Sequence, residues 1–383
     1  MVLAGGAGSR LGPLTDGRAK PAVPFAGTLR LVDFPLSNCL HSGLPDVWVV
    51  QQHHPESLSD HLANGRPWDL DRTYGGLLLL HPRLGDKGGF HQGTADALWR
   101  NSGLVREFAP DALVLVSADA VYRLDYAELV AEHLERDADL TVVTTRVEAS
   151  DAGRYGVVET AGGKVTGYAY KPDEPASDLV ANEVFVFRPE AALDTLDAIA
   201  AELGEDAVAD GGLADLGDAL LPRLVDGGGA VEHRFERYWR DVGTIDSYWS
   251  AHQDLLGDPP RLDLDARDWP VRTHDAQRPP ARLRPGSQVT DSLVAPACVL
   301  AGTVERSVLG PGVVVEAGAT VRDSVLLADT VVCAGSTVER AVLDERTRVG
   351  AGARVGRAGG AIAVTRRDTA VAEGTELDPE EDR

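Results

Sequence analysis

From Met1 to about Trp249, continuous apolar runs alternate with stretches in which apolar positions recur every three or four residues. The runs predict strands at Val47–Val50, Ala112–Ser117, Leu140–Arg146 and Val184–Phe187, because short apolar segments bounded by turn residues suit strands buried on both faces. The intervening stretches predict helices at Pro35–Ser42, Ala95–Phe108 and Tyr126–Arg136. In the last of these, Leu129, Val130, His133 and Leu134 fall on one face, with acidic residues on the other. Strands separated by helices predict an α/β domain, Rossmann-like, around a mixed, mostly parallel sheet. Only Met1-Val2-Leu3-Ala4 lead into the first glycines. A strand normally has about five or six residues, so the first one is expected to be short.

The pattern changes near residue 258. Prolines 259, 260, 270, 279, 280 and 285, mixed with Arg and Asp, predict an extended linker over 258–286 that lies on a domain surface. A repeat follows. Gly318-Ala319-Thr320-Val321-Arg322-Asp323-Ser324-Val325-Leu326 returns 17 residues later as Gly335-Ser336-Thr337-Val338-Glu339-Arg340-Ala341-Val342-Leu343. Ser307-Val308-Leu309 keeps the same phase one copy earlier. Short β-branched runs broken by Gly cannot be helical; with about six residues per face and three faces per coil they predict a parallel β-helix. An ordinary β-sandwich is the alternative. The expected organisation is a first domain over 1–257, the linker 258–286, a left-handed β-helix with hexapeptide-like repeats over 287–376, and an acidic tail at 377–383.

Composition changes this picture little: 43% hydrophobic and 25% charged residues are ordinary for a globular chain. No run of about 18 apolar residues indicates a membrane span, and no charged-then-apolar start suggests a secretory signal. Cys39, Cys298 and Cys333 lack metal-ligand or disulfide spacing and are expected to be reduced core residues of a cytoplasmic protein. Charge is more informative. A net charge of −23 argues against nucleic-acid or anionic-membrane partners, although a local basic pocket could still hold a small anion.

Such a pocket is suggested by the first thirty residues. Leu3-Ala4-Gly5-Gly6-Ala7-Gly8-Ser9-Arg10-Leu11 is a glycine-dense turn after a short apolar start, and Arg18-Ala19-Lys20-Pro21 follows. Glycines let backbone N–H groups approach an anion, while Arg10 offers a planar fork and Lys20 a compact charge for phosphate oxygens. A hairpin with two solvated cations is the plainer reading. Ala112–Ser117 leads through Ala118 to Asp119, a carboxylate at the carboxyl end of a strand, where ligands collect in parallel sheets; a turn or helix-cap Asp is the alternative. Asp241, in Tyr238-Trp239-Arg240-Asp241-Val242-Gly243-Thr244, is either a second site carboxylate or the partner of Arg240. Two aspartates in one crevice would suit Mg²⁺ beside a phosphate substrate. Lys171, in Tyr168-Ala169-Tyr170-Lys171-Pro172, is either a cation for a second phosphate or a solvated loop lysine.

Together these strings resemble the bacterial glucose-1-phosphate adenylyltransferase family. Leu3–Arg10 and Arg18–Phe25 carry the resemblance, as do Asp33-Phe34-Pro35-Leu36-Ser37-Asn38-Cys39, Gly93-Thr94-Ala95-Asp96-Ala97-Leu98, Tyr238–Thr244 and Trp269-Pro270. The resemblance implies condensation of ATP with glucose 1-phosphate to ADP-glucose and pyrophosphate, with Mg²⁺, in a homotetramer or other homo-oligomer. It also implies site roles. Leu3, Ala4, Gly5, Gly6, Gly8, Arg10, Lys20, Gln92, Gly93 and Thr94 would hold the nucleotide, with Asp119 and Asp241 as metal carboxylates. Arg10, Lys20, Asp119 and Asp241 would form the catalytic set, and His91, Gly156, Tyr170, Lys171, Ala181 and Asp215 would face the sugar phosphate.

The chain departs from the family pattern mainly on the sugar side. Tyr170 replaces the Glu of Glu-Lys-Pro, Ala181-Asn182-Glu183 replaces Ser-Met-Gly, and Asp215-Leu216-Gly217-Asp218-Ala219 replaces Asp-Phe-Gly-Lys-Asp. His91 replaces a Tyr, Ala120 a His after the strand aspartate, Ala7 a loop Arg, and Gly17 a Lys linked to activator binding. These changes leave two further readings: a non-catalytic regulatory subunit or nucleotide or sugar-phosphate sensor of the same fold, and a β-helix acyltransferase. The latter is disfavoured by a short coil array without an evident catalytic His.

Overall fold

The computed structural model describes residues 1–6, 8–82, 89–209 and 212–378; Ala7 and the end of the expected acidic tail lie outside them. Nine strands form the main sheet: β1 Val2–Ala4, β2 Asp46–Gln51, β3 Gly76–Leu80, β4 Leu113–Ser117, β5 Leu140–Arg146, β6 Gly156–Ala161, β7 Lys164–Tyr170, β8 Leu179–Phe187 and β9 Ala230–Arg234. Their order is β3-β2-β1-β4-β8-β5-β9-β7-β6, with a further β8–β6 pairing. The run β3-β2-β1-β4 is parallel, so the carboxyl ends of these four strands share one edge. β8 enters antiparallel to both β4 and β5. Its amino-terminal half therefore lies along the same edge.

Each face of the sheet carries its own core. Helices Thr94–Arg100, Ser102–Phe108, Pro189–Leu203 and Leu220–Asp226 bury one face around Leu98, Leu115, Phe185 and Leu196; Asp33–His41, Pro55–Leu62 and Tyr126–Glu135 bury the other around Leu36, Val49, Leu58 and Leu129. The helix expected over 95–108 is two. Asn101 turns its amide back to the Ala97 carbonyl (2.8 Å), and its own backbone leaves helical geometry. Leu134, expected on the buried face of its helix, is 51% exposed; His133 takes the buried position and bonds Thr141 Oγ1 at 2.8 Å.

Among the described residues, 258–281 form no helix or strand; residues 269–274 lie on the first domain, and Arg278 already pairs with Asp329 of the coil that follows. Trp269 Nε1 donates to Asn38 Oδ1 (3.0 Å), Arg272 N to Ser37 Oγ (2.8 Å), and Trp68 Nε1 to the Arg272 carbonyl (3.1 Å). A left-handed parallel β-helix follows, beginning with Arg282–Leu283 and closing with Glu376–Leu377. Its three parallel sheets contain six, six and five short strands. Val308, Val325 and Val342 stack in register at the 17-residue spacing, whereas the step from Val299 to Val314 is shorter and that from Arg348 to Ala370 longer.

One corner of the coil is wired by serines. Ser292, Ser307 and Ser324 each donate to the carbonyl two residues back, and accept the N–H of Ser307, Ser324 and Ala341 in the next coil at 3.1 Å. Another face of the coil packs on the first domain. Val325, Leu327, Val342 and Ile362 share a core with Leu11, Leu14, Phe25 and Tyr248. Within this interface Arg18, fully buried, donates to Asp344 Oδ1 at 2.5 Å, and Trp249 Nε1 donates to the Asp323 carbonyl at 2.7 Å.

Candidate active site

A cavity of about 420 Å³ opens along the carboxyl edge of β1, β2 and β4. Its floor is the Gly5-Gly6 turn after β1. The loop then returns through Arg10 to Lys20, and the return is tight: Gly8 has φ 71°, and a Cβ there would lie 2.9 Å from both Lys20 Cβ and Thr15 Cγ2. Any larger residue would displace the lysine. Lys20 is only 6% exposed, and Arg10 is exposed at the mouth.

The two aspartates reach this cavity through a feature too short to read in the sequence. Residues Ala120–Tyr122 pair antiparallel with Trp239–Asp241, setting Asp241 opposite Ala120, and Val242 N donates to the Asp119 carbonyl (3.0 Å). The ribbon brings together carboxylates far apart in the chain. Lys20 Nζ lies 2.8 Å from Asp119 Oδ2 and 3.9 Å from Asp241 Oδ1. Arg240 is not the partner of Asp241; it pairs with Asp254 at 2.7 Å.

The electrostatics of the pair are asymmetric. Burial opposes ionisation of Asp119, but the Lys20 ammonium and the Ser117 hydroxyl (2.5 Å) outweigh it, so this carboxyl is held below its usual range. Asp241 is pushed upward, first by burial and then by the charge of Asp119, with Lys20, Arg10 and Arg154 opposing. Two close carboxylates facing a crevice form a hard oxygen donor pair whose mutual repulsion a divalent cation would relieve. Among the described residues no group of three or more His, Cys, Asp or Glu side chains could hold a metal by itself. Two carboxylates plus substrate phosphates is the arrangement Mg²⁺ usually adopts, so the donor set fits it.

On the opposite wall, Gln52 at the end of β2 clamps the His91 peptide, accepting from its N–H (2.5 Å) and donating to its carbonyl (3.0 Å). Burial holds the His91 imidazole below its ordinary pKa. Gly93 allows the next contact, since a Cβ there would lie 2.1 Å from the Ala214 carbonyl oxygen. That approach delivers Asp215, whose Oδ1 accepts from Thr94 N (3.0 Å) and Thr94 Oγ1 (3.2 Å). Tyr170 donates to Asp215 Oδ2 (2.8 Å) and accepts from Lys171 Nζ (2.6 Å).

Of the residues expected at the site, Leu3, Gly5, Gly6, Arg10, Lys20, His91, Gly93, Thr94, Asp119, Tyr170, Lys171, Asp215 and Asp241 line the cavity. Ala4, Gly8, Gln92, Gly156 and Ala181 do not. Ala4 and Ala181 face the sheet's cores, and Gly8 supports Lys20 from behind. Gln92 is exposed and donates its N–H to Asp96. Gly156 is buried, making room for the Tyr168 ring, whose hydroxyl would lie 2.1 Å from a Cβ there.

Sequence reading missed Gln52, His53, Arg154, Tyr155, Glu183 and Trp239, which also line the cavity. Gln52 and His53 could have been found as the first polar residues after an apolar strand. Glu183 was visible as the charge inside an apolar run. Arg154, 3.8 Å from Asp241 Oδ2, had no such signal. Burial, and next the charge of Asp119, push the Glu183 carboxyl up to about 7.

Comparison with known families agrees with this architecture. The nucleotidyl transferase family model matches residues 1–257, and the GlmU-like C-terminal hexapeptide model matches 279–361. The glucose-1-phosphate adenylyltransferase of Thermomicrobium roseum is 41% identical over 303 residues, covering 78% of this chain and 69% of that protein. That of Clostridium botulinum is 38% identical over 318 residues, covering 82% and 81%. That of Fusobacterium nucleatum is 36% identical over 319 residues, with the same coverage.

Proposed function

The chain belongs to the glucose-1-phosphate adenylyltransferases of the nucleotidyl transferase family, and from that premise we propose that it transfers the adenylyl group of ATP to glucose 1-phosphate, giving ADP-glucose and pyrophosphate. One observation carries the reading: Lys20, Asp119 and Asp241 converge beside the Gly5-Gly6 turn, where a triphosphate would rest. A phosphate oxygen of the sugar phosphate attacks the α-phosphorus in line. The bond to the bridging oxygen breaks, and its electron pair leaves on pyrophosphate. No protein nucleophile is required, so the chain's work is positioning and charge stabilisation.

In this reading the Gly5-Gly6 backbone and Arg10 orient the triphosphate, and Lys20 sits beside the charge developing at the α-phosphate. Gly93 and Thr94 lie against the nucleotide; Lys171 and Arg154 attract the sugar phosphate. Asp119 and Asp241 would hold Mg²⁺, which supplies neutralisation of charge on the attacked and leaving oxygens. The product suits α-glucan (glycogen) synthesis. The coils of the β-helix are the element proposed to join subunits in a homo-oligomer, and a cytoplasmic setting fits the nucleotide and sugar-phosphate substrates. Among the described residues no helix is long and apolar enough to cross a membrane.

The test is pyrophosphate release from purified protein with Mg²⁺, each NTP and a panel of sugar 1-phosphates. Release that needs ATP and glucose 1-phosphate together is expected. Silence across the panel with nucleotide still binding would favour a sensor of the same fold.

A further inference from the structure

Position 183 defies the local rules of the strand that contains it. β8 reads Leu-Val-Ala-Asn-Glu-Val-Phe-Val-Phe, and Glu183 is its only charge. Its φ of 64° lies in the left-handed region, and the β8–β5 register breaks between Ala181 and Phe185. For a residue with a Cβ this conformation costs about 1 kcal/mol or more, and a carboxylate partly withdrawn from water adds to that cost. Asn182 beside it is 1% exposed, with neither amide atom hydrogen-bonded among the described residues. Glu183 likewise forms no hydrogen bond or ion pair among the described residues, and the charge of Lys171, which favours its ionised form, is outweighed by burial and by Asp119.

What Glu183 has is place. β8 pairs with β4 as far as Val184 opposite Val116, so Glu183 sits just past that last pair, at the crevice end beside Ser117. It lines the cavity together with Tyr170, Lys171 and Asp215. The other groups in this half are already engaged. Asp215 accepts three hydrogen bonds, and Tyr170 both donates and accepts. Glu183 is the carboxylate here with both oxygens open.

We propose that Glu183 is a specificity-determining residue of the sugar pocket, its carboxylate accepting a hydrogen bond from a ring hydroxyl of the sugar 1-phosphate. This deepens the function proposed above and rests on it. Tyr170, at the end of β7, spends its hydroxyl on Asp215, so the open acceptor in this part of the cavity is the one supplied by β8. The strained backbone aims it into the cavity and positions it ahead of binding. A site built around such an acceptor rejects a substrate lacking the matching donor far more strongly than an apolar pocket could.

The experiment compares the wild-type protein with Glu183→Gly and Glu183→Gln, using Mg²⁺, ATP, and glucose 1-phosphate or its 2-, 3-, 4- and 6-deoxy analogues. The wild type should lose at least about tenfold in kcat/KM on one deoxy analogue. Glu183→Gly should raise KM for glucose 1-phosphate about tenfold or more, leave KM for ATP within about twofold, and no longer distinguish that analogue from the parent. Its melting temperature should hold or rise, since glycine relieves the φ. Unchanged sugar KM in both variants would overturn the proposal. So would an equal weakening of every substrate with a raised Mg²⁺ requirement, which would make Glu183 a metal ligand. A wild-type protein silent toward all sugar 1-phosphates would instead overturn the function itself.

Discussion

Asp119 and His252 illustrate what single residues do in this molecule. Asp119 is held ionised by Lys20 and Ser117 at the crevice. Asp119→Asn should lower kcat by about 10²- to 10³-fold, in the range lost when one charge-stabilising group is removed. Its melting temperature should stay nearly unchanged, because Asp241 still faces Lys20 at 3.9 Å; a large thermal loss would mean that Asp119 is structural. His252 has the opposite purpose. Fully buried, it must donate through Nδ1 to the Tyr248 carbonyl (2.8 Å) while Nε2 accepts from Ala26 N (3.1 Å), so both bonds require the neutral ring. Burial lowers its pKa from 6.5 to about 4. Unfolded chain then binds the extra proton first, so stability is complete above pH 6.5 and falls as pH drops towards 4. The loss is about 3 kcal/mol at about 1.4 kcal/mol per pH unit. Denaturant titrations at stepped pH should show this slope, and His252→Gln should flatten it. The sequence disclosed Asp119 because it follows an apolar strand. His252 was hidden, since a histidine in an amphipathic helix carries no mark of what its two nitrogens face.

Elements were legible in proportion to their length and burial. β5, over Leu140–Arg146, matches its predicted span, because Leu140–Thr145 are all buried and all but the leucine are β-branched. The ribbon that unites Asp119 with Asp241 left no trace, since three-residue strands far apart in the chain have no periodicity to detect. The β-helix was visible as a phase, not as a mechanism. The repeated Ser-Val-Leu strings gave the 17-residue step, but the serine positions prove to be a hydrogen-bond ladder through the coil corner. Ser324→Ala would strand the buried Ala341 N–H and should cost about 1–3 kcal/mol in a denaturant melt. Ser324→Thr, which keeps the acceptor, should recover part of it. A cost below about 0.5 kcal/mol for the alanine would show the ladder to be ornamental.

At the scale of the whole molecule, the two domains are joined behind the active site rather than beside it. Arg18, two residues before Lys20, is buried against Asp344 and lies 3.7 Å from Glu345, both from the β-helix. Removing one partner of such a pair leaves the other charge buried alone, so Arg18→Ala should cost about 3–5 kcal/mol of unfolding free energy. The paired change Arg18→Met with Asp344→Leu should restore most of it. If Arg18→Ala proves neutral, the pair is not what ties the domains. The connection also has a consequence in time. A chain is synthesised from its amino terminus, so the loop carrying Arg18 and Lys20 emerges long before the carboxylate that neutralises its buried arginine, which follows 326 residues later. Lys20 finds Asp119 and Asp241 within the first domain, whereas Arg18 two residues earlier waits for a late coil of the β-helix. A chain made only as far as Asp241 therefore holds Lys20 and both aspartates but not yet the partner of the buried Arg18.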